Sequence, residues 1–211
     1  MPESETEGRE MTATPIETAT LRPGFADPVQ HAQQSFRLIL EAMSRPGSLT
    51  ELTCPLEPPQ PFGPATAAAA LTLFDSDTRV WLDPAAHSEE PAAFLRFHCG
   101  CPLTDTPGEA DFAVCLAWPE DFGRFAQGEP EYPDRSTTLI VQVDSLDRED
   151  GLVLSGPGIA ERERLRISPL PPDFTARWSR NRAGFPLGVD LILTADRTFC
   201  GLPRSLTVQE A

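Results

Sequence analysis

Three side chains that can hold a metal or carry redox chemistry stand within four positions: His98, Cys99 and Cys101, in the run FHCGCP. The chain has only three histidines and five cysteines, so the cluster stands out. Imidazole and thiolate are zinc ligands, and two thiols can cycle with a disulfide. A structural zinc site needs four ligands, commonly as two pairs. The other candidates (Cys54, Cys115, Cys200, His31 and His87) stand singly. Cys115 and Cys200 lie in apolar runs, where a cysteine behaves as a small hydrophobe. No metal is therefore expected. The better reading of FHCGCP is a helix end: His98 in the last turn, Gly100 at the left-handed position after it, and Pro102 barring continuation.

Other groups offer different chemistry. Asp75 and Asp77, in DSDTR, could hold Mg²⁺ with a nucleotide phosphate, although turn-forming aspartates explain the pair better. SGPGI (155–159) resembles a glycine-rich phosphate turn, but it lacks the GxGxxG spacing and Pro157 removes an N–H. An ordinary turn is expected. Arg162, Arg164, Arg166, Arg177, Arg180 and Arg182 are opposed within 161–182 only by Glu161, Glu163 and Asp173. That segment could bind a polyanion, meet an acidic partner, or form solvated surface. No serine occupies a G-x-S-x-G elbow.

All 17 basic residues are arginine. A lysine-free chain can form no Schiff base with pyridoxal phosphate or a carbonyl substrate, and it has no P-loop lysine. Any bound anion must meet guanidinium groups, backbone N–H groups or a helix terminus.

These residues need positioning elements. DPVQHAQQSFRLILEAMSRPG (27–47) is the clearest helix. Asp27 is the cap, Pro28 opens the first turn, and Pro46–Gly47 end it. Val29, Ala32, Phe36, Ile39, Leu40 and Met43 form one apolar stripe. SLTEL (48–52) reads as a short strand, 54–64 as a proline-rich loop, and 65–74 as an alanine-rich helix. TRVWL (78–82) reads as a buried strand and 89–98 as a second capped helix. DFAVCLA (111–117) is a strand, and WPEDFGRFAQG (118–128) a short helix. STTLIVQVDSL (136–146) and GLVLSG (151–156) pair as a hairpin. Residues 171–184 form a helix, and 188–203 two strands about a turn at Ala195–Arg197. Mixed helices and strands point to an α/β layered fold around a mixed sheet.

The chain has 211 residues, which suits one domain. Residues 1–26 read as a flexible acidic tail and 27–211 as a single domain. Acidic residues replace the basic start of a signal peptide. The longest nearly apolar run, 65–74, is half of the roughly 20 residues that span a membrane. A cytoplasmic protein with reduced cysteines is expected. The net charge of −15 argues against nucleic acid and anionic membranes as partners.

Eight segments, in order, resemble one family, the PhnH subunit of bacterial carbon–phosphorus lyase. They are GFADPVQHAQQSFRLILEAMSRPG, LTLFDSDTRVWL, LRFHCGCPL, DFAV, STTLIVQVDSL, LSGPGI, FPLGVDLILT and LPRS. The resemblance covers residues 24–205. It implies a three-layer α/β/α sandwich similar to the large domain of pyridoxal-phosphate transferases, but without that cofactor. It implies a homodimer that works in a complex with PhnG, PhnI and PhnJ. That complex replaces the adenine of MgATP with methylphosphonate, giving ribose 1-methylphosphonate 5-triphosphate. The family supplies no catalytic residue to carry over. Its motif positions make Arg37, Arg45, Asp75, Asp77, Arg96, His98 and Arg204 candidate anion or substrate contacts. Cys99 and Cys101 depart from the family pattern. Trp178, Arg180 and Phe185, in ARWSRNRAGF, are candidate interface residues, because Trp and Arg are enriched in binding hot spots. The alternative is an independent phosphate- or nucleotide-binding enzyme with an arginine-lined site.

Overall fold

The computed structural model describes residues 21–211. The elements run α1 (Pro28–Ser44), β1 (Thr50–Glu51), α2 (Pro64–Leu73), β2 (Val80–Leu82), α3 (Glu89–His98), β3 (Phe112–Cys115), β4 (Gln127–Glu129), β5 (Tyr132–Ser136), β6 (Thr138–Gln142), β7 (Ser145–Ser155), β8 (Glu163–Ser168), α4 (Phe174–Ala183), β9 (Asp190–Ala195), β10 (Thr198–Leu202) and β11 (Thr207–Glu210). The main sheet has six strands in the order β1-β10-β9-β6-β3-β2. Strands β9, β6, β3 and β2 are parallel, while β10 and β1 are antiparallel. The fold is thus α/β with a mixed sheet.

Parity along the parallel strands sets the layers, because successive strand side chains point to opposite faces. Val80, Leu82, Val114, Ile140 and Ile192 join one core, shared with Ile39, Ala42, Phe94 and Leu95 of α1 and α3. Trp81, Ala113, Cys115, Leu139, Val141, Leu191 and Leu193 join the other. The first core carries α1, α2 and α3. Ala65 and Ala67 to Ala70 of α2 are fully buried, and small side chains let this helix sit deep against the strands. Gly201 has the same role on β10: a Cβ there would lie 2.5 Å from the Ala42 carbonyl of α1.

The second core is covered differently from the helical layer expected for an α/β/α sandwich. It holds α4 and a three-stranded antiparallel sheet, β11-β7-β8. The proposed hairpin of 136–146 with 151–156 does not form. Strand β6 stays in the main sheet, and β7 leaves it as an eleven-residue strand paired with β8 and β11. The expected helix at 118–128 reduces to a 3-10 turn, Phe122–Arg124, followed by the β4–β5 hairpin.

Three sequence-derived boundaries coincide with the structure. Asp27 caps α1 by accepting from the Gln30 N–H at 3.0 Å. Gly100 ends α3 with φ +68°. A tight turn joins β9 to β10. The packed chain begins before residue 27: Phe25 is buried, and the Arg22 carbonyl bonds to His98. The remainder of the proposed tail, 1–20, lies outside the described residues.

Candidate functional site

Each nominated residue has a defined place, and they do not converge on one centre. Arg37 lies on the outer side of α1 and Arg45 at its C-cap, where it pairs with Glu41 at 2.9 Å. Asp75 organises a turn between α2 and β2. It accepts from the Thr78 hydroxyl at 2.7 Å and the Asp77 N–H at 3.0 Å. The Thr78 hydrogen bond, then the Asp77 N–H, hold its carboxyl below the usual carboxylate range. Asp77 is exposed. The turn reading fits this geometry, since the turn's own groups both donate to Asp75 Oδ1.

His98 anchors the N-terminal segment. One ring nitrogen lies 2.9 Å from the Arg22 carbonyl, and the ring packs between Phe94 and Phe97 at 4.6 and 4.9 Å. Cys99 and Cys101 sit on either side of the Gly100 turn, their thiols donating to the Ala70 and Leu95 carbonyls at 3.7 and 3.9 Å. The neighbouring Cys99 thiol, helped by Arg96, draws the Cys101 thiol down. The Cys101 thiol, with burial, pushes Cys99 up. Burial raises Cys115 and pushes Cys200 up to about 12. Among the described residues no three His, Cys, Asp or Glu side chains gather as a metal site would need.

Arg204 is the most engaged of the candidates. Its guanidinium and backbone N–H both close on Asp190, and the remaining donors reach the Pro133 carbonyl and the Ser136 hydroxyl. It therefore ties β9 to the β4–β5 hairpin and has little left to offer an anion. The SGPGI turn is also occupied: a Cβ on Gly158 (φ +82°) would collide with the Ser44 carbonyl and lie 2.8 Å from Pro46. The end of α1 fills the space a phosphate would need.

Two of the six arginines of the segment, Arg164 and Arg166, are paired from the preceding strand β7. Arg164 pairs with Asp150, and Arg166 with Glu149 at 2.6 Å across β7–β8. Arg148 pairs with Glu163 at 2.7 Å. Arg177 pairs with Asp173 at 2.7 Å on its own helix, and this partner lowers the Asp173 carboxyl. An open cleft of about 330 Å³ remains between Arg148, Arg162 and Arg164. Trp178 corrects the interface expectation. It is 1% exposed, its indole N–H donates to the Leu206 carbonyl at 2.9 Å, and its ring stacks on Phe174. Its amphipathic helix turns it inward, so only Arg180 and Phe185 of that trio face outward.

Arg96 is the one nominated residue beside a polar cavity whose donors are not already consumed by the fold. This cavity of about 260 Å³ is also lined by Leu82, His87, Leu103, Thr104 and Asp105. A guanidinium, an imidazole and a hydroxyl could together hold a small anion, with Asp105 accepting from a hydroxyl or ordering water. No local pattern in the sequence marks this grouping, because the fold gathers Arg96 of α3 with residues from both before and after that helix.

Two polar nodes escaped the sequence reading. Asp83, 5% exposed, accepts from the N–H groups of Ala86, Leu116 and Ala117 at 2.6, 2.6 and 3.0 Å. The Asp-Pro step ending a strand run was the available hint. Gln142 accepts from the Gly63 N–H and Thr66 hydroxyl, both at 2.7 Å, and donates to the Pro61 carbonyl at 3.0 Å. The Thr66 hydroxyl also meets Thr194 at 2.7 Å. Gln142 and Thr194 stand at the carboxyl ends of β6 and β9, where α/β sheets commonly bind ligands. Here the start of α2 is tied down by protein groups.

Comparison with known proteins places this geometry in context. The family model described as "Bacterial phosphonate metabolism protein (PhnH)" matches residues 23–209. A Rhizobium meliloti (strain 1021) protein, "Alpha-D-ribose 1-methylphosphonate 5-triphosphate synthase subunit PhnH", is 43% identical over 187 residues. That match covers 88% of this chain and 94% of the relative. A Stutzerimonas stutzeri protein, "Putative C-P lyase subunit protein HtxG", is 36% identical over 78 residues, 37% of this chain and 40% of its own. The family match runs from residue 23, next to the Arg22 anchor, into β11, and on that extent the chain belongs to the PhnH family of bacterial phosphonate metabolism.

Proposed function

We propose that this protein is a non-catalytic or substrate-binding subunit of a ribose 1-methylphosphonate 5-triphosphate synthase complex. The relative that matches along nearly its whole length is named as such a subunit, and this observation carries the reading. The full complex would exchange the adenine of MgATP for methylphosphonate, with PhnG, PhnI and PhnJ as the other subunits. The protein would work in the cytoplasm; no helix among the described residues is long and apolar enough to cross a membrane. Its fold would resemble the large domain of pyridoxal-phosphate transferases without using that cofactor, in keeping with the missing lysine.

The polar groups support a structural or binding role. Arg204, Asp83, Gln142 and Asp75 are committed to backbone and turn contacts. The Arg96 cavity is a candidate contact for a phosphonate or phosphate group. The test is co-expression of the tagged chain with PhnG, PhnI and PhnJ. A stable assembly recovered at high salt is expected, and a chain recovered alone under every condition counts against the proposal.

A further inference from the structure

All five cysteines are free, and three of them, Cys54, Cys115 and Cys200, stand alone and buried. Cys99 and Cys101 differ. One residue separates them, and Gly100 at that place turns the chain at the end of α3 with φ +68°. Two peptide units span at most about 7 Å when extended, and a turn shortens that distance. Disulfides bridge Cα atoms roughly 4.4–6.8 Å apart. The Cys101 thiol folds back over this turn. It lies 3.9 Å from the Leu95 carbonyl, which also accepts the Cys99 N–H at 2.9 Å. A Cβ on Gly100 would meet nothing within 4 Å, so the turn is open on that side and has room to adjust.

The two thiols have unequal surroundings. The neighbouring Cys99 thiol, with Arg96, favours the Cys101 thiolate, whereas the Cys101 thiol and burial keep Cys99 protonated. An attacking thiolate next to a resolving thiol is the usual arrangement of a reversible oxidation site. Exposure decides the oxidant. Cys99 is half-buried and Cys101 is 2% exposed. A bulky disulfide cannot reach the Cys101 sulfur, so the oxidant must be small, and hydrogen peroxide is of that class.

We propose that Cys99 and Cys101 are a peroxide-oxidisable dithiol site, in which Cys101 attacks and Cys99 resolves. The Cys101 thiolate attacks one peroxide oxygen and the O–O bond breaks. The departing hydroxide takes up the thiol's proton as water, and Cys101 becomes a sulfenic acid. The Cys99 sulfur then attacks the Cys101 sulfur, the S–O bond breaks, and the hydroxyl leaves with the Cys99 proton as a second water. The two thiols thus give two electrons to the peroxide and close a disulfide across Gly100. Neither sulfur can then donate to the Ala70 or Leu95 carbonyl, so oxidation removes the thiol contact between the end of α3 and α2. The site is independent of the assignment as a complex subunit, and it is tested on the isolated chain.

The reduced full chain is exposed to dilute hydrogen peroxide, unfolded in an alkylating reagent and mapped by tandem mass spectrometry. Cys99 and Cys101 should escape alkylation together, with loss of two hydrogen atoms and recovery by dithiothreitol. They should do so at least about tenfold faster than Cys54, Cys115 or Cys200 react. Cys99→Ser should stop at a sulfenic acid on Cys101, trapped by dimedone. Cys101→Ser should leave Cys99 open to alkylation. The wild-type map decides the matter alone if either variant loses its native circular dichroism. Cys99 and Cys101 reacting no faster than the three buried cysteines overturns the proposal. So does a disulfide between two chains on a non-reducing gel, or a sulfinic acid on Cys101 without any disulfide. Undiminished oxidation of Cys99 in Cys101→Ser would overturn the order of attack.

Discussion

Arg204 and Asp190 form the most enclosed ion pair among the described residues, with side chains 12% and 20% exposed. The arginine Nε lies 3.1 Å from both carboxylate oxygens, and the Arg204 backbone N–H reaches one of them at 2.7 Å. The carboxylate thus fixes both the side chain and the loop that bears it. Asp190→Ala should cost about 3 kcal/mol, the lower end for breaking a buried pair, because some solvent reaches it. Differential scanning calorimetry should show a drop of roughly 6–12 °C. A shift under 2 °C would mark the pair as ordinary surface.

Trp178 and Arg180 separate core from surface on one helix. Trp178→Ala should cost about 3–5 kcal/mol, and Arg180→Ala should stay within about 0.5 kcal/mol. Urea unfolding monitored by circular dichroism distinguishes them. Equal small effects would restore Trp178 as an exposed contact.

Ser35 is fully buried on the inner face of α1, and its hydroxyl has no hydrogen-bond partner in the described structure. Ser35→Ala removes an unsatisfied polar atom and adds helix propensity. Stability should rise by about 1 kcal/mol in the same urea assay. A loss of stability would reveal a partner for the hydroxyl.

The Asp173 carboxyl is depressed by Arg177. A depressed carboxylate contributes stability that is present above its unfolded pKa and fades as pH falls through its folded pKa. The difference between wild type and Arg177→Ala should therefore be largest near neutrality and shrink below about pH 4. A residue should persist in acid, because Arg177 also donates to the Pro119 carbonyl at 2.6 Å. A pH-independent difference would assign the whole effect to that carbonyl contact.

What the sequence disclosed was local. Asp27 and Pro28 start α1, Gly100 stops α3, and the apolar run LIL marks β9, because each depends on neighbours in the chain. The misreadings came from partners on other elements. The β8 arginines looked unopposed until β7 brought Glu149 and Asp150 beside them. Residues 136–146 and 151–156 looked like a hairpin because the polar stretch 147–150 separates two apolar runs, yet β7 runs through that stretch and belongs to a different sheet from β6. The Arg96 cavity, assembled from α3 and the segments on both sides of it, carried no periodic signal.

The central claim is that this chain acts only within its complex. Adenine release from MgATP and methylphosphonate, followed by chromatography, tests it most directly. The isolated chain should release none. PhnG, PhnI and PhnJ without it should be slow, and adding it should restore turnover. Adenine release by the isolated chain, or full activity of the other subunits without it, would contradict the account.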